Sequence, residues 1–428
     1  VGDAQNNWLR INGGELRCKV VGEGGNLGLT QLGRIEYAQA GGRMNTDFID
    51  NSAGVDCSDH EVNIKILLNQ VMRAGPLTGE NRNKLLAEMT GEVAAQVLRN
   101  NYLQTQTISM MEKLTGARLG AKQHFISVLE SEGILDRDLE KLPHDEELTR
   151  RRGIGLGMSR PELSVLLSYS KIMLYGQLLD SDIPEDPWLS QELLRYFPKP
   201  LQEKYSDYMH GHRLKREIIA TQVTNSLVNR MGASFALRMH EDTGAGAAEV
   251  ARAFTIAREI FNARDFWSKI EALDNKAGSE SQVNATLSMW NLLRQTTRWV
   301  LNQSRDKLDI RASVERLTPG MEILGKKISQ SLNEVEKARV LEQADPMIDD
   351  GVPRNLAIQA STLHLLYPAL DVVETAARRN DDVLMVATVF FDLGERLGLK
   401  WLRESVEKLP VAGQWHAHAR GSLRDELY

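Results

Sequence analysis

Two short segments gather side chains able to hold a ligand. Residues 22–26 read GEGGN and residues 51–61 read NSAGVDCSDHE. Each offers an asparagine, Asn26 and Asn51, whose amide both donates and accepts hydrogen bonds. Each also offers small residues that let a backbone come close to a bound molecule. At the carboxyl ends of strands in an open α/β sheet, such loops line the ligand crevice. Asparagine and glycine are equally the default residues of turns and helix caps, so spacing alone leaves both roles open.

Other candidates lose on context. Residues 153–157 (GIGLG) have the look of a dinucleotide loop, but they follow Arg150, Arg151 and Arg152 rather than a strand, so a loop between helices is expected. The three arginines are expected in solvent. His210 with His212, and His416 with His418, lack acidic or thiolate company at ligand spacing; solvated histidines and no metal are expected. Cys18 and Cys57 have neither metal spacing nor partners for a disulfide framework, which fits a reducing cytoplasm.

The elements that must position these residues show in the distribution of glycine. Of the 33 glycines, 11 fall in the first 60 of 428 residues, so strands and loops are expected first and helices afterwards. Residues 17–21 (RCKVV) read as a buried strand running into GEGGN. Residues 43–51 (RMNTDFIDN) read as a second strand that opens the next loop, with a short helix over 35–40 between them. A strand, helix, strand unit is half of a Rossmann-like sheet. Farther on, Ser159, Pro161 and Glu162 form a capping-box signature that starts a helix near Arg160. Ile218, Ile219, Val223, Leu227 and Met231 mark another amphipathic helix, stopped by Gly232. The expected fold is mainly α: a long helical region over 76–428, open to subdivision near 184–200, preceded by a truncated α/β, nucleotide-binding segment over 1–75.

The length predicts two or three domains. With 42% hydrophobic and 26% charged residues, global disorder is excluded. A formal charge of -6 has the wrong sign for a nucleic-acid partner. No run of about 18 apolar residues predicts a membrane span. The opening at Val1, directly in a polar stretch, hints at a piece of something longer.

At this point the two segments resemble a family. GEGGN and DFIDNSAGVDCSDHE (47–61) are similar to the two late motifs of the glutamate dehydrogenase nucleotide-binding domain, an EGAN-type loop and a D-x-x-x-N-A-G-G-V-x-x-S-x-x-E segment. GMSRPELSVLLSYSK at 157–171 and HRLKREIIATQVTNSLVNRMG at 212–232 resemble the very large bacterial NAD-specific glutamate dehydrogenases, whose chains carry a long helical region after the catalytic core. The resemblance implies the C-terminal part of such a chain. It implies a cytoplasmic homo-oligomer that oxidises L-glutamate to 2-oxoglutarate and ammonium with NAD. Carried over by position, Asn26 is similar to the asparagine near the nicotinamide ribose, in one cofactor loop with Gly24 and Gly25, and Asn51 to the asparagine on the nicotinamide side. Val55 and Ser58 match the residues that contact glutamate and its distal carboxylate. Glu61 matches the acid that begins the returning helix. Gly25 departs from the family's alanine, and Ser52 and Ala53 replace an Ala-Gly pair.

The reaction also needs a substrate lysine, an acid/base carboxylate and a glycine-rich turn for the pyrophosphate. In the family these lie upstream of the EGAN-type loop. Only Lys19, inside the expected strand, precedes that loop here. The resemblance therefore implies no catalytic residue in this chain, and an inactive fragment. The rival reading is a helical interaction or assembly module without nicotinamide chemistry.

Overall fold

The computed structural model describes residues 4–428 apart from 117, 304–306, 411–413, 426 and 428. The chain divides into two compact units, Val1–Ala236 and Leu237–Tyr428.

The α/β expectation is overturned. Residues 17–21 and 43–51 meet only in an isolated parallel bridge between Val20 and Arg43. There Val21 N donates to Arg43 O and Arg43 N donates to Lys19 O, each at 2.9 Å. No strand forms among the described residues, so there is no Rossmann-like segment. The pairing stops because the second segment turns helical: Thr46 O accepts from Ile49 N at 3.1 Å and Asp50 N at 2.9 Å, and Asp47 O from Asn51 N at 2.7 Å. Past the bridge the chain is held by side chains instead, Asp50 Oδ2 accepting from Glu23 N at 3.1 Å and Asp47 Oδ2 from Leu27 N at 3.0 Å. The expected second strand thus turns helical four residues after the bridge, at Asp47. Val20, read as buried, is exposed.

The first unit is built from α1 (Gln31–Gln39), the single turn α2 (Asp47–Asp50), α3 (Ser52–Ala74), α4 (Gly79–Lys113), α5 (Leu119–Ser131) and α6 (Asp145–Gly153). It continues through α7 (Arg160–Leu179), α8 (Ser190–Tyr196), α9 (Lys199–Met209) and α10 (Lys215–Met231). Gly75, at φ +95, closes α3 in the left-handed conformation that glycine adopts without strain. Helix α7 starts at Arg160, as its sequence predicts: Ser159 N donates to Glu162 Oε2 at 2.6 Å. Leu163, Val165, Leu166, Leu167, Leu174 and Leu178 of α7 are all buried, and the helix packs against α4 and α10. The run Arg150 to Arg152 forms the last turn of α6 rather than a solvated loop. Acids at 145–147 open that helix and arginines close it, the order the helix dipole favours. Residues 153–157 lead from α6 to α7, as expected.

In the second unit, whose boundary falls within α11 (Phe235–Thr243), the helices are α12 (Ala247–Ile260), α13 (Ala263–Glu271), α14 (Ser279–Gln303), α15 (Ile310–Lys327) and α16 (Glu334–Asp349). They are followed by α17 (Arg354–Leu366), α18 (Ala369–Arg379), α19 (Val383–Arg396), α20 (Leu399–Glu407) and α21 (Gln414–Asp425). Helix α12 is central, with Val250, Phe254, Ile256 and Ile260 buried, and packs against α14 and α15. No single helix among the described residues is long and apolar enough to cross a membrane. The pair α17 and α18 reaches that hydropathy only together and is bent by 66°.

Candidate functional site

The candidate site lies where the loop 22–29 meets the junction of α2 and α3. Arg34, buried on α1, fixes that loop. Its Nε donates to Glu23 Oε2 at 2.6 Å and its Nη2 to Glu23 Oε1 at 3.0 Å. The same Nη2 lies 3.0 Å from Asp47 Oδ1. With Asp47 and Asp50 also accepting from Leu27 and Glu23 backbone N–H groups, the loop is held at both ends. Thr30 caps α1, its Oγ1 accepting from Gly33 N at 3.1 Å.

The clamped loop brings the two predicted asparagines together: Asn51 Nδ2 donates to Asn26 Oδ1 at 3.2 Å. Asn51, Val55 and Ser58 stand at positions 0, +4 and +7, which is one face of a helix. That face is open. Val55 is 76% exposed, and Gly24, Gly25, Asn26 and Ser58 are exposed with it. Ser58 Oγ donates back to Gly54 O at 3.3 Å, a bond it can exchange for a ligand by rotating about χ1. A Cβ on Gly54 would come 3.0 Å from Asn51 Oδ1, so glycine leaves that amide room, and nothing crowds a Cβ at Gly24 or Gly25. Chemically the pair presents amide donors from Asn26 beside a carbonyl acceptor from Asn51, with a hydroxyl two turns along. This set suits a carboxamide next to a carboxylate.

Two other predicted residues stand elsewhere. Lys19 is exposed and contributes its carbonyl to the bridge. Glu61 does not begin a helix, because α3 starts at Ser52; it is exposed in the third turn and pairs with Lys65.

Sequence reasoning missed the polar network behind α3, for which its only signal was the i, i+4 spacing of Asp56 and His60. Asp56 Oδ2 accepts from Asn100 Nδ2 at 2.8 Å. His60 lies 3.7 Å from Asp56 and stacks on Tyr196 with ring centroids 4.4 Å apart. The Tyr196 hydroxyl donates to Asp59 Oδ2 at 2.8 Å and accepts from Asn63 Nδ2 at 2.9 Å. Lys171 of α7 donates to Gln104 Oε1 at 3.0 Å, and Gln104 and Asn101 of α4 each donate to Ser52 Oγ at 3.0 Å. Burial holds His60 below the ordinary imidazole value, lifts the Asp56 carboxyl, and pulls Lys171 down to about 7. This network ties the inner face of α3 to α4, α7 and α8, leaving the Asn51, Val55 and Ser58 face outward.

His212, expected in solvent, is buried, with Nε2 at 3.1 Å from Asn63 O and Nδ1 accepting from Leu214 N at 3.1 Å. His210 and His416 are exposed, and the side chain of His418 lies outside the described residues. No group of three or more metal-ligating side chains occurs among the described residues. Cys18 and Cys57 are free and exposed.

Residues 155–428 match the family described as glutamate dehydrogenase, C-terminal, and residues 1–111 match the bacterial NAD-glutamate dehydrogenase catalytic domain. Among curated proteins the chain is similar to the NAD-specific glutamate dehydrogenase of Halomonas elongata, 46% identical over 427 residues. Those of Pseudomonas aeruginosa and Mycobacterium tuberculosis are 44% and 36% identical. In each case 100% of this chain is covered but 26% of the relative, so the chain spans about a quarter of their length.

Proposed function

We propose a function from one premise: this chain belongs to the glutamate dehydrogenase family, matching parts of the catalytic and C-terminal regions of a much larger bacterial NAD-specific enzyme. In the whole protein, on this reading, it helps convert L-glutamate and NAD to 2-oxoglutarate, ammonium and NADH in the cytoplasm, where two exposed thiols stay reduced. The observation that carries the proposal is the alignment of Asn26, Asn51, Val55 and Ser58 on one open face. Their donor set fits the cofactor's carboxamide beside a dicarboxylic substrate. Bound there, NAD would supply the hydride acceptor. Asn26 and Asn51 orient the carboxamide, with Gly24 and Gly25 giving it room, Val55 covers the substrate carbons, and the Ser58 hydroxyl donates to the distal carboxylate. No catalytic residue is assigned to this chain. The lysine, the carboxylate and the glycine turn would come from the rest of the relatives' length.

In the whole protein, Ser58→Ala is expected to raise KM for glutamate about tenfold and Asn51→Ala KM for NAD by a similar factor, the effect of one lost hydrogen bond of about 1.4 kcal/mol. This 428-residue chain assayed alone is expected to form no NADH from glutamate. Unchanged KM values in both variants, or turnover by the chain alone, would refute the assignment.

A second reading, assembly by the helical region, has its own support. Met385, Val389 and Leu393 of α19, then Leu397 and Trp401, are all exposed. We propose that a homo-oligomer of the whole protein covers them.

A further inference from the structure

We propose that Arg160 and Lys171 of α7 are positioning residues for the cofactor, acting through two hydrogen-bond chains that set the amides of Asn26 and Asn51. The inference rests on the assignment of those amides to the NAD carboxamide, and it goes beyond that assignment by giving the helical region a part in the site.

Both residues belong to the segment GMSRPELSVLLSYSK (157–171). Eleven positions apart on α7, they are separated by about three helical turns and leave the helix on one face. They fall in the stretch 155–428 that matches the C-terminal family, whereas Asn26 and Asn51 fall in 1–111, which matches the catalytic domain.

The first chain starts at Arg160, which is buried. Its Nε donates to Asn45 Oδ1 at 3.1 Å, and Asn45 Nδ2 donates to Asp50 Oδ1 at 2.8 Å. The other oxygen of Asp50 accepts from Glu23 N, at the root of the loop that carries Gly24, Gly25 and Asn26. A guanidinium only donates and a carboxylate only accepts, so a single orientation of the Asn45 amide serves both. The second chain starts at Lys171. Its Nζ donates to Gln104 Oε1 at 3.0 Å, and Gln104 Nε2 donates to Ser52 Oγ at 3.0 Å. Here too the cation decides which end of the amide faces the next residue.

The two chains end on the residues that flank Asn51. Asp50 precedes it and Ser52 follows it, and Asn101 of α4 ties the two sides together, its Nδ2 donating to Ile49 O at 2.7 Å and to Ser52 Oγ at 3.0 Å. Asn51 is the C-cap of α2 and the N-cap of α3, yet its side chain makes no capping bond. An asparagine at an N-cap ordinarily spends its side-chain oxygen on an N–H of the first turn. With its neighbours holding the junction, the Asn51 amide is left to meet Asn26.

The variants follow from the donors. Arg160 Nη1 also donates to Ser109 Oγ at 3.0 Å and to Glu112 Oε2 at 2.9 Å. Arg160→Lys keeps a cation for Glu112 but lacks the guanidinium fork that reaches Asn45 at the same time. Lys171→Met keeps the apolar stem and removes the donor to Gln104.

The test is steady-state kinetics of the whole protein in two double-mutant cycles, Arg160→Lys with Asn26→Ala and Lys171→Met with Asn51→Ala. Each α7 variant alone is expected to raise KM for NAD about threefold, less than loss of the amide itself, with KM for glutamate unchanged. Combined with loss of the amide it positions, neither should raise KM for NAD further. A merely structural role would lower the active fraction, which reduces kcat and leaves both KM values alone. Unchanged KM for NAD in either folded α7 variant, or losses that add in either cycle, would overturn the proposal, and the Lys171 cycle decides it if Arg160→Lys does not fold. Should Asn26→Ala and Asn51→Ala themselves leave KM for NAD unchanged, the assignment of the amides falls, and this inference with it.

Discussion

Arg34 shows how a single residue decides whether Asn26 meets Asn51. Its guanidinium pairs with both Glu23 and Asp47 in a buried corner, and those carboxylates hold the loop that carries Asn26. Arg34→Met leaves both acids buried without their cation, at a cost of about 3 kcal/mol. Urea denaturation measures that loss, and faster amide exchange at Leu27 should accompany it. A second expectation concerns pH. Burial holds both His60 and His212 below 6.5, so the unfolded chain binds more protons than the fold once pH drops beneath that value, and stability falls as pH falls from about 6.5 toward 5. His60→Phe keeps the stack on Tyr196 and should flatten this slope, read from denaturation midpoints across that range. An unchanged slope would mean that folding does not lower the His60 pKa. Of the candidate site residues, Asn26, Asn51 and Ser58 could be picked from sequence because their types and the resemblance point to a ligand. Arg34, Lys171 and Gln104 could not, because they come from elsewhere in the chain and only packing brings them near.

Among elements, α7 is the one whose start is written locally. Glu162, 1% exposed, accepts from Ser159 N at 2.6 Å and from Arg151 Nη1 at 2.9 and 3.0 Å. One carboxylate thus joins the cap of α7 to the end of α6. Glu162→Ala leaves a buried guanidinium with Glu147 alone, 2.8 Å away, and a cap N–H unpaired, and about 2 kcal/mol of stability should go with it. Ser159→Ala, which leaves that ion pair intact, should cost only about 1 kcal/mol. Equal losses in the two variants, measured by chemical denaturation, would show that the Arg151 pair contributes nothing. The expected strands at 17–21 and 43–51 fail for the opposite reason. A helix cap is satisfied within four residues, whereas a strand exists only if a neighbour supplies donors and acceptors along its length, and here residues 46–51 spend theirs on a helical turn.

For the molecule as a whole, each unit has its own buried core, while the stripe through α19 and α20 stays outside one. If an oligomer covers it, Val389→Glu with Leu393→Glu should lower the mass of the whole protein measured by light scattering, with helical content by circular dichroism unchanged. Unaltered mass would take this face out of the interface. The sequence by itself determined that much of the chain forms amphipathic helices, where α7 begins, which family the chain resembles and which small loop residues deserve attention. All of these depend on side chains within a few positions of one another or on motifs read in order. Only the tertiary structure decided that no strand forms among the described residues of the first 50, and that Arg151, His212 and Lys122 are buried. Those outcomes turn on which distant side chain reaches a given backbone group or charge first, and on how much solvent the packing of remote helices excludes, neither of which is encoded by spacing along the chain.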